Sequence, residues 1–98
     1  MLKSLNILGH KTKIVYRSDL SSISGRFVFG YYDPVVQEIH IDENIAPSIQ
    51  KSTLIHEIVE AVLASNDIEV DHSTICALEI GLANVLLSNK QLLTYLAE

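Results

Sequence analysis

The first half of the chain alternates apolar with polar residues, and the second half repeats them with the period of a helix. Before residue 43, short stretches rich in Ile, Val, Tyr and Phe are separated by turn residues, which predicts three or four strands. Leu5 to Leu8 and Lys13 to Arg17 flank Gly9-His10-Lys11-Thr12, a hairpin loop in which Gly9 can take positive φ. Ser18 to Gly25 is polar and predicted to be irregular. Arg26 to Tyr32 places Phe27, Phe29 and Tyr31 on one face and ends at Asp33-Pro34, a turn because proline fixes φ and cannot donate to a ladder. Gln37 to Asp42 puts Ile39 and Ile41 together with His40 opposite, so these two stretches form a second hairpin.

From Ala46 onward the period is helical. Pro47 suits the first turn, where its missing N–H costs nothing, and the spacing predicts a helix from Pro47 to Ser65, ended by Asn66-Asp67. Asp71 is a good N-cap for a second helix running to Ser88, after which Asn89 breaks the pattern before a short amphipathic tail, KQLLTYLAE. Strands followed by helices argue an α+β fold, with the helices on one face of a small, mostly antiparallel sheet of three or four strands. A chain of 98 residues makes one domain, residues 1–98.

Composition narrows the function classes. With 48% hydrophobic and 19% charged residues the chain is globular, and no apolar run reaches the roughly 18 residues that a membrane span needs. A soluble, non-membrane protein is expected. The opening residues, MLKSLNILGHKTKIVYR, show no basic region followed by an apolar stretch, which points to the cytoplasm. A formal charge of -5 gives no basic footprint, so no nucleic-acid partner is expected. Cys76 is the only cysteine, which excludes an intrachain disulfide framework and a thiolate cluster from one chain.

The candidate chemistry lies in LIHEIVEAVLA, residues 54–64. Taking His56 as zero, Glu60 falls at about 40° and Glu57 at about 100° round the helix, so the three share a face. Alone, that face is either half of a metal site or the wet side of an amphipathic helix. The second helix changes the balance. Between His72 and Leu87 there is no Lys or Arg, and Glu79 is the only carboxylate, so this segment is predicted to be buried nearly all round. His72 and Glu79 lie within about 20° of each other, inside an apolar arc. Buried charges need partners, and the polar face of the first helix would supply them if the two helices packed as an antiparallel pair.

Zinc binds imidazole nitrogen and carboxylate oxygen, and a catalytic site uses three protein ligands with water in the open position. His56 and Glu60, one turn apart, with His72 from the next helix, supply that set. Glu57 is left as the general base for a water that the metal activates. Glu79, about 10.5 Å along the axis from His72, is assigned to orienting a ligand histidine.

The stretch Leu54-Ile-His-Glu-Ile-Val-Glu-Ala, followed by His72 and Leu78-Glu79 and preceded by Ile39 to Asp42, resembles the small zincin-type peptidase-like proteins of phages and prophages related to the ImmA/IrrE group. The resemblance covers about Gly25 to Leu87. It implies a zincin-like sheet followed by an active-site helix, zinc, and peptide-bond hydrolysis, with His56 as first ligand and Glu57 as general base. The family's pattern is His-Glu-x-x-His, whereas Glu60 stands at the fourth position here, so that His72 would supply the second imidazole.

The remaining candidates have ordinary readings. His10 sits in a loop and His40 on the outward phase of a strand, both at the surface, though His40 has a rival use on a sheet edge facing a substrate cleft. Tyr31 and Tyr32 pack a sheet face rather than stabilise an oxyanion. Cys76 is a small buried hydrophobe rather than a nucleophile. Two readings compete with a peptidase: a non-catalytic binding or regulatory module of zincin architecture, and a phage assembly or host-directed subunit. The latter draws on the apolar tail Leu92, Leu93, Tyr95 and Leu96. So short a chain leaves little material for a substrate cleft, and a homo-oligomer or partner protein would supply the rest.

Overall fold

The computed structural model describes residues 1–20 and 28–98. Its strands are β1 (Ser4–Ile7), β2 (His10–Arg17), β3 (Gly30–Asp33) and β4 (Glu38–Asp42), and its helices are α1 (Pro47–Ser65), α2 (His72–Ser88) and α3 (Lys90–Leu96). The fold is α+β, with a four-stranded mixed sheet in the order β1-β2-β4-β3. The outer pairings are antiparallel and the central one, β2 with β4, is parallel, with Ile14 opposite Ile39 and Tyr16 opposite Ile41. Alternation along a strand is the same whichever way its neighbour runs, so the sequence pattern carried no sign of this parallel pair.

The first hairpin is tighter than its sequence suggests. Leu8 and Gly9 both take positive φ, 51° and 85°, and form a two-residue turn whose twist matches the flanking strands. The Gly9 N–H donates to Asn6 Oδ1 at 2.9 Å. His10, Lys11 and Thr12, expected in the loop, therefore already belong to β2 and pair with Ile7, Asn6 and Leu5. The strand expected from Arg26 begins at Gly30; residues 26 and 27 lie outside the described residues, as does most of the polar stretch expected to be irregular.

Ile14, Ile39 and Ile41 project from the central strands onto α1, meeting Ala61 and the partly buried Leu54, Ile58 and Val62. The α1 residues buried against this layer are Thr53, Glu57 and Ala61, one per turn. Glu57 thus stands in the stripe that the helix turns inward, not on its wet side. Gly30 lets β3 approach this helix. A Cβ there would lie 2.7 Å from the His40 carbonyl oxygen and 2.8 Å from Thr53 Cγ2, one turn before Glu57. Gly30→Ala is expected to destabilise the protein by about 1–3 kcal/mol through overpacking, read by urea denaturation; an unchanged midpoint would show that β3 can retreat freely.

One expectation fails on α2. It does not lie buried all round: Ile75 is its buried residue, whereas Leu78, Ile80, Leu82, Val85 and Leu87 are exposed, Ile80 at 67%. The helix packs on α1 along one side, and no described element covers the other. Scarcity of charge predicted burial because it normally reflects it; here the apolar outer face stays open and continues into Leu93, Tyr95 and Leu96 of α3.

Candidate metal centre

The α1–α2 seam brings the polar residues of both helices together. His56 on α1 is the hub. Its Nδ1 lies 2.8 Å from Glu79 Oε1 on α2, and its Nε2 lies 3.6 Å from Glu60 Oε1 one turn along its own helix. The Nδ1–H donates to Glu79, which leaves Nε2, on the Glu60 side of the ring, as the nitrogen available to a metal. The His56 and His72 rings are 5.2 Å apart between centroids, tilted by 56°. One ligand atom from each of His56, Glu60 and His72 falls within 4.8 Å of the other two, close enough for a single ion. The same holds for His56, Cys76 and Glu79.

Glu57 lines the same cavity as His56 and His72 and is 4% exposed. Burial, then a hydrogen bond to Glu60, then the negative charges of Glu60 and Glu79, push its carboxyl up to about 9. It is therefore protonated at neutral pH in the protein without a cation. Its Oε1 is buried and has no hydrogen-bond partner among the described residues. A cluster of carboxylates around two imidazoles, with one acid buried, half-satisfied and forced to keep its proton, is a site short of positive charge. The donor chemistry fits a divalent cation such as zinc.

The residues predicted as ligands, His56, Glu60 and His72, thus come together, with Glu57 and Glu79 beside them. Their exposure differs from what the sequence suggested. His72 is exposed and His56, Glu60 and Glu79 are half-buried, so the site opens to solvent along the seam instead of being sealed in an apolar shell. A cavity of about 400 Å³ runs along it, lined by Gly30, Thr53, His56, Glu57, His72, Cys76 and Glu79 among others. On the other side of Glu60 is a larger hollow of about 610 Å³ with walls that include Tyr32, Leu63, Ile68, Val70 and Ile75.

Sequence reasoning missed Cys76. It is half-buried, and its Sγ lies 3.3 Å from His72 Nε2. The signal was present, since His72, Cys76 and Glu79 stand at i, i+4 and i+7, one face of a helix. His40 is a second correction. Expected at the surface, it is 6% exposed, stacked on Tyr31 at 4.5 Å with its Nε2 3.0 Å from Glu38 Oε1. Strand alternation sets it opposite Ile39 and Ile41, on the sheet face away from α1, so it does not face the seam. Tyr31 shares that face, while Tyr32 packs toward the core, and His10 is exposed as expected.

Comparison with protein-family models, with curated proteins and with solved structures finds no match for this chain. No helix of the described residues is long and apolar enough to cross a membrane.

Proposed function

We propose that this protein is a zinc-dependent peptidase of zincin type, akin to the phage and prophage proteins its His-Glu-x-x-Glu and His72 segments resemble, and that it acts in the cytoplasm of a bacterial host. One observation carries the reading: three ligand atoms from His56, Glu60 and His72 lie within 4.8 Å of one another, with the buried acid Glu57 lining the same cavity as the two histidines. A zinc ion among them would supply Lewis acidity, polarising a peptide carbonyl and activating water.

The remaining work falls to the chain's own side chains. Glu79 holds the His56 ring by its Nδ1, so that Nε2 faces the other ligands in a set direction. With a divalent cation held by these residues, Glu57 would be kept as its carboxylate, reversing the effect of Glu60 and Glu79. In that form Glu57 takes a proton from the attacking water and returns it to the departing amine. The hollow beyond Glu60, where Leu63, Ile68, Val70 and Ile75 stand beside the carboxylates Asp67 and Glu69, has room for a substrate side chain.

Purified protein is expected to hold about one zinc per chain, on the three-ligand rule for catalytic sites. Glu57→Gln should keep that zinc and lose about 100-fold or more in hydrolysis of a mixed peptide library, the size of general-base effects. Turnover surviving in Glu57→Gln would remove Glu57 from the chemistry, and a wild-type protein that takes up no zinc would end the proposal.

A second reading is favoured by the open apolar face of α2 and α3, where Ile80, Leu87, Tyr95 and Leu96 are all more than half exposed. Under it the chain is a non-catalytic zincin-like module, regulatory or part of a phage assembly, that buries this face in a homo-oligomer or against a partner protein. Light scattering discriminates. A strict monomer across the micromolar range speaks against self-association, and an oligomer dispersed by Ile80→Lys supports it.

A further inference from the structure

We propose that Cys76 is a ligand of the same metal centre, its thiolate sharing the ion with His56, the histidine common to both groups of ligand atoms. This rests on the reading that the seam binds a divalent metal, and it changes what kind of site that is.

A cysteine four residues after a histidine on one helix touches it by spacing alone, so the 3.3 Å contact between Cys76 Sγ and His72 Nε2 is compatible with a weak S–H···N hydrogen bond. Two further observations point to a ligand. His56 reaches across from α1 and, with Glu79, brings its ligand atom within 4.8 Å of the sulfur, so the thiol faces donors from two different helices. Glu57, 4% exposed, lines the same cavity as Cys76 with its Oε1 unpaired among the described residues. A half-buried thiol beside two imidazoles, in a cavity that also holds one half-satisfied buried carboxyl group, is a poor hydrophobic contact and a good zinc donor. Sulfur with imidazole also selects zinc or cobalt over magnesium or calcium.

Binding replaces the S–H bond with a sulfur–metal bond, and the proton leaves to solvent.

Cobalt(II) added to the reduced, full-length protein tests this, because the chain has a single cysteine and any thiolate-to-cobalt charge-transfer band must come from it. Expected are such a band in wild type, its absence in Cys76→Ser, and zinc binding at least about tenfold weaker in that variant, the least that even an outer contact to a ligand costs. Zinc X-ray absorption should show a sulfur at about 2.3 Å. Wild type that binds cobalt through nitrogen and oxygen alone, with Cys76→Ser equal in affinity, overturns the proposal and leaves the metal centre standing. A band that forms only in a metal-linked dimer also overturns it, the sulfur then coming from a second copy. Wild type that binds neither metal removes both the thiolate ligand and the metal reading.

Discussion

Metal-free protein is expected to lose stability steadily as the pH rises from 4.5 to about 9, and Glu57→Gln to flatten most of that slope. In the unfolded chain Glu57 ionises near the ordinary glutamate value of 4.5, whereas in the fold it keeps its proton up to about 9. Below that window both states are protonated, and the stability tied to this group is fully present. Inside it, the folded state holds one proton more than the unfolded state, so each pH unit removes about 1.4 kcal/mol. Above about 9 the loss is complete. Urea denaturation in the presence of a chelator, repeated across the window for wild type and Glu57→Gln, measures the difference. Parallel curves would mean that Glu57 is not held as a buried acid. The glutamine keeps the side chain's volume and cannot ionise, so any change of slope belongs to the proton.

The second large effect concerns the hub. Zinc at 100 times its dissociation constant should stabilise wild type by about 2.7 kcal/mol, and His56→Ala should lose that increment altogether. His56 belongs to both groups of ligand atoms, whereas Glu60, His72, Cys76 and Glu79 each belong to one. Removing it also leaves Glu79 without the 2.8 Å partner that satisfies it, which costs about 1–3 kcal/mol even without metal. The zinc effect is therefore read as the difference with and without zinc within each variant, by thermal or urea unfolding. An equal zinc shift in wild type and His56→Ala would place the bound ion elsewhere, with His10 and His40 the next histidines to test.

Glu79 shows how far local pattern can reach. Its seven-residue spacing from His72 placed both on one face, and the structure gives that face to His56. Glu57 shows where the pattern stops. Angular bookkeeping put it on a polar strip beside His56, a correct direction round the helix, yet the strip's far side is the side packed on the sheet. Which arc of a helix meets the core depends on what lies against it, and Gly30 and Thr53 set that approach from β3. His40 repeats the lesson on the sheet. Alternation placed it opposite Ile39 and Ile41 correctly, but the face it occupies is closed instead of open to water.

The sequence by itself determined the α+β class, the bounds of α1 and α2, and the set of ionisable residues that share helix faces, because period, proline and turn residues act within a few positions of one another. Tertiary structure alone decided the parallel pairing of β2 with β4, the burial of Glu57, the inclusion of Cys76 beside His56, and the open outer face of α2. Those depend on contacts between residues far apart in the chain, and burial, with the proton affinity that follows from it, is a property of the surroundings that assemble only when the layers pack.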